Sequence, residues 1–119
     1  MAYEAGVELS IEDFDRISRN TPYIVDMKPA GKYLMADLSR YGGIALVMKR
    51  LLNAGLLHGD CMTVTGKTLR ENIESVPTID DQPIVYQIDN PRSPTGGLAI
   101  LKGNIAPDGA VIKLSLIHI

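Results

Sequence analysis

The chain has 119 residues and a mass of 12.9 kDa, which suits one ordinary domain or parts of two. Hydrophobic residues make up 45% of it and charged residues 22%, a composition that is typical of globular proteins and excludes a disordered chain. With a formal net charge of -2, five Tyr, one Phe and no Trp, it offers neither a basic surface for nucleic acid or anionic membranes nor a platform for base stacking.

The sequence also bears on the compartment. Its single cysteine, Cys61, excludes an internal disulfide and is typical of a reducing environment. The first eight residues lack the basic stretch of a signal peptide. The longest strongly apolar run, residues 44–48, is far shorter than the roughly 20 residues of a membrane span. We therefore expect a cytoplasmic protein that does not associate with membranes.

A helix is predicted near the start of the chain. Ser10 can accept a hydrogen bond from the amides of a first helical turn. Ile11, Phe14 and Ile17 recur every three residues and form one apolar face. Thr21-Pro22 ends this helix, because a residue that precedes proline is pushed out of helical geometry. An extended segment is expected at 23–27 and a turn at 28–31.

Two further helices, at 32–40 and 44–54, are predicted to form a helical hairpin around Gly42-Gly43, a pair that is typical of helix ends. The second of these helices should face the core with its apolar residues and the solvent with Lys49 and Arg50. Its expected core residues are Ile44, Val47, Met48, Leu51 and Leu52; Asn53 is expected outside, and Gly55 closes the helix.

Thr68 and Glu71 have the spacing of a capping box, which predicts a fourth helix, and Val76-Pro77 ends it. The sequence then changes to strands and turns, with strands predicted at 84–88, 98–101 and 110–114. We therefore place a domain boundary after residue 77. Residues 1–77 would be the helical end of one domain, and residues 78–119 a linker and the opening strands of another.

Gly66-Lys67-Thr68 precedes a predicted helix and invites comparison with a phosphate-binding loop. Such a loop needs the spacing GxxxxGK[ST], so that successive backbone amides surround the phosphates. Cys61 occupies the position of the first glycine, and Gly59 lies two residues too far upstream. We therefore predict an ordinary helix N-terminus with an exposed lysine.

His58, Asp60 and Cys61 are close enough in sequence to suggest a metal site or a Cys/His nucleophile pair. Neighbouring residues of an irregular stretch seldom converge on one ion, and the sequence has no second cluster to complete a tetrahedral site, His118 being near the far end. A nucleophilic pair would also need an orienting group and an oxyanion site. We expect no metal here and interpret Cys61 as an unreactive thiol.

The other acids and glycines have structural interpretations. Asp80 and Asp81 are typical of a polar linker. Gly96-Gly97 and Gly103-Asn104 are expected to permit positive φ in turns between strands, the alternative being a close approach of backbone to a ligand. A solvated helix face is expected for Glu12, Asp13 and Asp15. The residues by themselves therefore predict no catalytic, cofactor-binding or metal-binding site.

Several longer stretches, in order along the chain, resemble one family. They are EAGVELSIEDFDRIS at 4–18, DMKPAGKYLMADL at 26–38, HGDCMTVTGKTL at 58–69 and DNPRSPTGGLAILKGNIAPDGAVIK at 89–113. Together they resemble the dihydroxy-acid dehydratases, iron–sulfur hydro-lyases of branched-chain amino-acid synthesis, within a superfamily that includes the phosphogluconate dehydratases. The TVTGKTL stretch favours the dihydroxy-acid branch.

The resemblance implies a fold, a reaction and cofactors. The fold is an α/β N-terminal domain joined to a β-barrel-like C-terminal domain, usually in a homodimer. This chain would then be an α/β fragment, with the last helices of the first domain and the first strands of the second. The implied reaction removes water from a 2,3-dihydroxy-3-methyl acid to give a 2-keto acid, using an iron–sulfur cluster as Lewis acid, a magnesium ion and a serine base.

The functional residues of that family lie outside this segment. The cluster cysteines and most magnesium ligands precede it, the serine base and the remaining magnesium ligand follow it, and Cys61 matches no cluster ligand. We therefore expect an internal fragment that binds neither cofactor and is inactive alone. Residues 114–119 depart from the family pattern and are interpreted as a foreign tail, although their alternating apolar residues also suit a strand.

Two other interpretations stay open. One is an aldonate or 6-phosphogluconate dehydratase of the same superfamily. The other is a non-catalytic interaction module, in which an exposed leucine patch seeks a partner. That patch would consist of Leu51, Leu52, Leu56 and Leu57.

Overall fold

The structure, a computed structural model, describes residues 1–113, so the predicted tail at 114–119 lies outside the described residues. Helices precede strands along the chain, as predicted. None of the helices within residues 1–113 combines the length and the apolar character that a membrane span requires. The elements are α1 (Ile11–Asn20), α2 (Met35–Ser39), α3 (Ile44–Asn53), α4 (Leu69–Glu74), β1 (Leu98–Leu101) and β2 (Ala110–Lys113).

The chain divides into two compact units. One unit is residues 24–92, which contain α2, α3 and α4. The other combines residues 1–23 with the chain from Ser93 onward, and it contains α1, β1 and β2. The domain boundary predicted after residue 77 concerns the domains of a longer protein, and it stays a prediction.

The unit of residues 24–92 has a hydrophobic core, formed by Ile24, Leu38, Leu46, Ile84 and Val85. An extended segment brings Ile24 to this core: the amide of Tyr86 donates to the Ile24 carbonyl at 2.7 Å, and Val25 forms a β-bridge with Val85. The strand predicted at 84–88 is therefore wrong as a full strand. The Gln82 side chain takes the place of a pairing strand, because its Oε1 accepts hydrogen bonds from the amides of Ile84 (2.7 Å) and Val85 (2.8 Å).

Helix α2 begins at Met35, three residues later than the predicted start at Lys32. Tyr33 is held in extended backbone instead, since its carbonyl accepts a hydrogen bond from the Lys28 amide at 2.9 Å. The Asp37 carboxylate accepts the Leu34 amide at 2.9 Å and so satisfies a donor at the helix start. Backbone hydrogen bonds between Tyr33 and residues 26–28 therefore make this helix shorter than the apolar spacing predicts.

Helix α3 has the predicted position but a different buried face. Leu46 and Leu52 are its buried residues, whereas Ile44, predicted in the core, is 53% exposed. Arg50 was predicted outside, but only 10% of its side chain is exposed. Since Leu52 is buried, the exposed patch proposed for Leu51, Leu52, Leu56 and Leu57 is wrong in that residue.

The ends of the helices follow the predicted signals. Gly55 closes α3 with a φ of 76°, a conformation that favours glycine, and the Leu56 amide donates to the Leu51 carbonyl at 2.9 Å. At the start of α4, the Thr68 hydroxyl accepts the Glu71 amide at 3.3 Å. The caps predicted at Gly55 and Thr68 are therefore confirmed. Ser10 is the N-cap residue of α1 as predicted, but its hydroxyl donates to Asp13 Oδ2 at 3.2 Å and accepts no amide.

In the other unit, β1 and β2 form an antiparallel hairpin in which Leu98 pairs with Lys113 and Ile100 with Val111. Two polar residues of helix α1 form hydrogen bonds to β1. The Ser18 hydroxyl donates to the Leu98 carbonyl at 2.7 Å, and the Ile100 amide donates to Asp15 Oδ1 at 3.1 Å. The predicted apolar face of α1 is present, but none of its residues is buried.

Candidate functional site

The segment around Gly66-Lys67-Thr68 is a tight turn whose amides are already used. The Thr63 amide donates to the Lys67 carbonyl at 2.9 Å, and the Gly66 amide donates to the Thr63 carbonyl at 3.1 Å. The Leu69 amide donates to the Cys61 carbonyl at 2.9 Å. A phosphate-binding loop points such amides at its ligand, so this geometry agrees with the predicted helix N-terminus, and Lys67 is exposed.

His58, Asp60 and Cys61 are all exposed. Across residues 1–113, no group of three or more His, Cys, Asp or Glu side chains is placed to hold a metal ion; His118 lies outside that range. An iron–sulfur cluster is held by several cysteine thiolates, whereas the sequence has one cysteine. The residues present therefore do not fit an iron–sulfur cluster, and those that the structure describes do not fit a magnesium ion held by carboxylates.

The acids of α1 are engaged in ion pairs. Asp13 pairs with Arg16 at 3.3 Å and Asp15 with Arg19 at 2.7 Å, while Glu12 binds the ammonium group of Lys102. The hydrogen bond from Lys102 is the main cause that lowers the pKa of Glu12.. The pKa of Asp13 is lowered chiefly by the hydrogen bond from the Ser10 backbone amide. Carboxylates with lowered pKa values are poor proton donors near neutral pH, so Glu12 and Asp13 are poorly suited to general-acid catalysis.

The glycines predicted to permit positive φ do not do so. The glycines with positive φ, such as Gly109 at 104°, do not include Gly96, Gly97 or Gly103. Gly96 is needed for space instead, because a Cβ there would lie 2.6 Å from the Ser18 hydroxyl oxygen. The close approach of backbone that Gly96 permits is therefore made to helix α1 of its own unit.

A polar cluster around Arg50 was missed by the sequence patterns. Its guanidinium donates to the Gln87 side chain and, at 3.2 Å, to the Asp80 carbonyl, and it lies 3.8 Å from the Asp80 carboxylate. Its Nε is buried and has no hydrogen-bond partner within the described residues. Arg50 also borders two cavities of about 430 and 210 Å³, both of which Asn53 lines as well. The cluster holds residues 80–87 against α3. Its acidic member, Asp80, belongs to the predicted linker.

A second missed cluster joins two of the stretches that carry the family resemblance. The buried carboxylate of Asp26 lies 3.4 Å from Arg92 Nη1, and it accepts the Lys32 amide at 3.2 Å. Arg92 also donates to the Ala30 carbonyl at 2.7 Å. Gly31 closes this turn, since a Cβ there would lie 2.2 Å from Asp26 Oδ1. An acid inside the apolar segment 23–27 was the signal that could have predicted a buried ion pair.

These clusters bind segments of the chain to one another, and they hold no converging acid, base and nucleophile. Comparison with known proteins supplies the functional context. The model of the family described as dihydroxy-acid/6-phosphogluconate dehydratase N-terminal matches residues 1–72, and the C-terminal model of the same family matches residues 83–118. The chain belongs to the dihydroxy-acid/6-phosphogluconate dehydratase family.

Individual relatives of this dehydratase family agree. The chain is 59% identical to the dihydroxy-acid dehydratase of Sulfurisphaera tokodaii over 117 residues, which is 97% of this chain and 21% of the relative. It is 54% identical to the dihydroxy-acid dehydratase of Saccharolobus solfataricus and 53% identical to that of Sulfolobus acidocaldarius, in both cases over 100% of this chain and 22% of the relative. The chain thus spans about a fifth of the length of these dehydratases.

Proposed function

We propose that this chain serves as the scaffold segment that joins the two family domains of a dihydroxy-acid dehydratase. The observation that carries this proposal is the identity of 53–59% to dihydroxy-acid dehydratases over nearly the whole chain. The whole protein would remove water from a 2,3-dihydroxy-3-methyl acid to give a 2-keto acid, as a step in valine, isoleucine and leucine biosynthesis. Its iron–sulfur and magnesium ligands would lie on other segments, because the residues present here do not fit those groups.

Within that enzyme, residues 1–77 would end the N-terminal α/β domain, and residues 78–119 would open a barrel-like C-terminal domain. The interval between the two family matches, residues 73–82, contains this proposed boundary. Arg50 holds Asp80 and Gln87 against α3, so the first residues after the proposed boundary would pack on the helical end of the N-terminal domain. We propose a cytoplasmic homodimer for the whole enzyme and no turnover for the 119-residue chain alone.

A segment exchange tests this function. The matching segment of the Sulfurisphaera tokodaii dihydroxy-acid dehydratase is replaced by the matched residues of this chain, and dehydration of a 2,3-dihydroxy-3-methyl acid is measured. We expect the turnover rate of the chimera to stay within about tenfold of the rate of its host, which is a difference of about 1.4 kcal/mol in the activation barrier. The isolated chain should neither turn over the substrate nor show the visible absorption of an iron–sulfur centre.

Leu46→Asp in the chimera is the negative control, because a charge at this fully buried position should unfold the segment and abolish turnover. A chimera that folds and binds its cofactors but is inactive would contradict the proposal, as would turnover by the isolated chain.

A 6-phosphogluconate dehydratase is the second candidate, because the matching family includes that activity in its description. The two candidates differ in the substrate of the longer enzyme. Growth complementation with that enzyme separates them: rescue of a branched-chain auxotroph supports the dihydroxy-acid function, and rescue of growth on gluconate alone supports the second candidate.

A further inference from the structure

An apolar cleft opens between α1 and the β-hairpin. It has a volume of about 450 Å³, and its apolar walls are Leu9, Ile11, Phe14, Leu98, Ile100 and Val111, together with Ser10. Asp15 and Ser18 form hydrogen bonds to β1, and they share one face of α1 with Ile11 and Phe14 because the four residues have the spacing i, i+3, i+4 and i+7. Ile11 and Phe14 therefore face the hairpin across the cleft, and the described part of this unit leaves the cleft uncovered.

The two walls of this cleft are set by regular structure. Ile11 and Phe14 are three residues apart on α1 and share one face. Ile100 and Val111 are register partners, so their side chains share one face of the hairpin. Phe14 is 50% exposed and Val111 58%. Contiguous apolar surface of this kind marks a contact site in soluble proteins.

The relatives indicate what covers the cleft. Each is a dihydroxy-acid dehydratase of which this chain matches only 21–22%, so most of such an enzyme lies outside these residues. The lining includes no charged side chain, which selects an aliphatic or aromatic occupant. We propose that apolar side chains from the remaining part of the same dehydratase subunit fill this cleft. This inference rests on the function proposed above.

Photo-crosslinking in the segment-exchange chimera tests the inference. The photoreactive residue p-benzoylphenylalanine replaces Phe14 in one variant and Arg16 in a matched control; the Arg16 side chain is 65% exposed, and Arg16 lies two positions along the same helix, off the face that Ile11 and Phe14 share. We expect irradiation to link position 14 to a host-derived peptide of the same subunit, several-fold more than position 16. Peptide mass spectrometry identifies the linked residues.

The outcomes separate this inference from the proposed function. A chimera that turns over substrate but gives no position-14 link to host residues overturns the cleft assignment and leaves the function intact. Links to a second subunit or to a small molecule also overturn it. A chimera that folds, binds its cofactors and gives the intrasubunit link but is inactive supports the cleft and contradicts the function. Should the Phe14 variant fail to fold, the same residue at Leu98, on the opposite wall, decides the question.

Discussion

The two compact units of the chain hold their structure in different ways. Residues 24–92 bury a core of five apolar residues around Leu38 and Leu46. The described residues of the other unit, 1–23 and 93–113, include no buried residue. That unit is held by strand pairing and by hydrogen bonds from α1 to β1. Among residues 1–113, a core of buried apolar side chains is therefore found in the first unit alone.

This difference has an energetic consequence. Burial of one Leu or Ile side chain stabilises a fold by about 1.5–3 kcal/mol, whereas a typical hydrogen bond contributes about 0.5–1.5 kcal/mol net. The unit with the core should thus resist unfolding more strongly than the unit that contains α1. The following changes test that contrast, from the largest expected effect to the smallest.

Leu46→Ala should have the largest effect, because Leu46 is completely buried and the substitution leaves a cavity. We expect a loss of about 2–5 kcal/mol in the free energy of unfolding, measured by urea denaturation of the 119-residue protein. Val64→Ala is the control, since Val64 is fully exposed and should change stability by less than about 0.5 kcal/mol. Equal effects of the two substitutions would show that residues 24–92 have no working core.

Asp26→Asn should come next. The substitution removes the charge that pairs with Arg92 in a mostly buried setting, and hydrogen bonds to charged groups contribute about 1.5–3 kcal/mol. We expect a loss in that range by urea denaturation. Asp81→Asn, at an exposed acid of the same unit, should change little, and a comparable loss there would point to general charge effects.

Gly96→Ala tests the unit without a core. The new Cβ would lie 2.6 Å from the Ser18 hydroxyl oxygen and 3.0 Å from the Ser18 carbonyl oxygen, so α1 has to move away from β1. Crowding of this kind costs about 1–3 kcal/mol. Amide hydrogen exchange should accelerate in α1 and β1 while residues 24–92 keep their protection. Gly97→Ala, with no atom within 4 Å of the new Cβ, should leave exchange unchanged.

The smallest effect concerns the ion pair of Glu12 and Lys102. The pKa of Glu12 lies below its ordinary value of 4.5 because of the hydrogen bond from Lys102. A lowered folded-state pKa means that the stabilisation is present above pH 4.5 and is lost as the pH falls through the folded value. Lys102→Met should raise the Glu12 pKa in an NMR titration.

Asp13 is the internal reference for that titration, since its pKa is lowered chiefly by the Ser10 amide and should not respond to Lys102→Met. A Glu12 pKa that stays equally low without Lys102 would contradict the assigned cause.

The contrast also explains what the sequence could predict. Helices α1, α3 and α4 and both strands carry local signals, such as the Thr68 cap and the Gly55 terminator, and their positions are confirmed. The errors have two kinds of cause: a distant partner, or a nearby side chain that binds backbone amides. Helical position predicts that Arg50 lies outside, yet Gln87, 37 residues away, binds its guanidinium. The strand predicted at 84–88 failed because one side chain, Gln82, satisfies the amides that a strand would have paired.

The candidate site also has features that depend on a local sequence signal and features that depend on remote residues. Absence of a phosphate-binding loop was predictable from spacing alone, because that motif is local. The ion pair of Asp26 with Arg92 joins two remote stretches, and its acid was visible only as a charged residue in an apolar segment. Family membership came from long ordered stretches instead of any cluster of reactive residues.

The hydrogen bonds between α1 and β1 affect which edge of the hairpin can pair with another strand. Ile100 and Leu98 turn their amide and carbonyl away from β2, and Asp15 and Ser18 occupy both groups. A strand from another molecule would find two hydrogen-bonding groups of that flank already occupied, which disfavours edge-to-edge pairing there. Further strands would extend the sheet more easily alongside Ala110–Lys113.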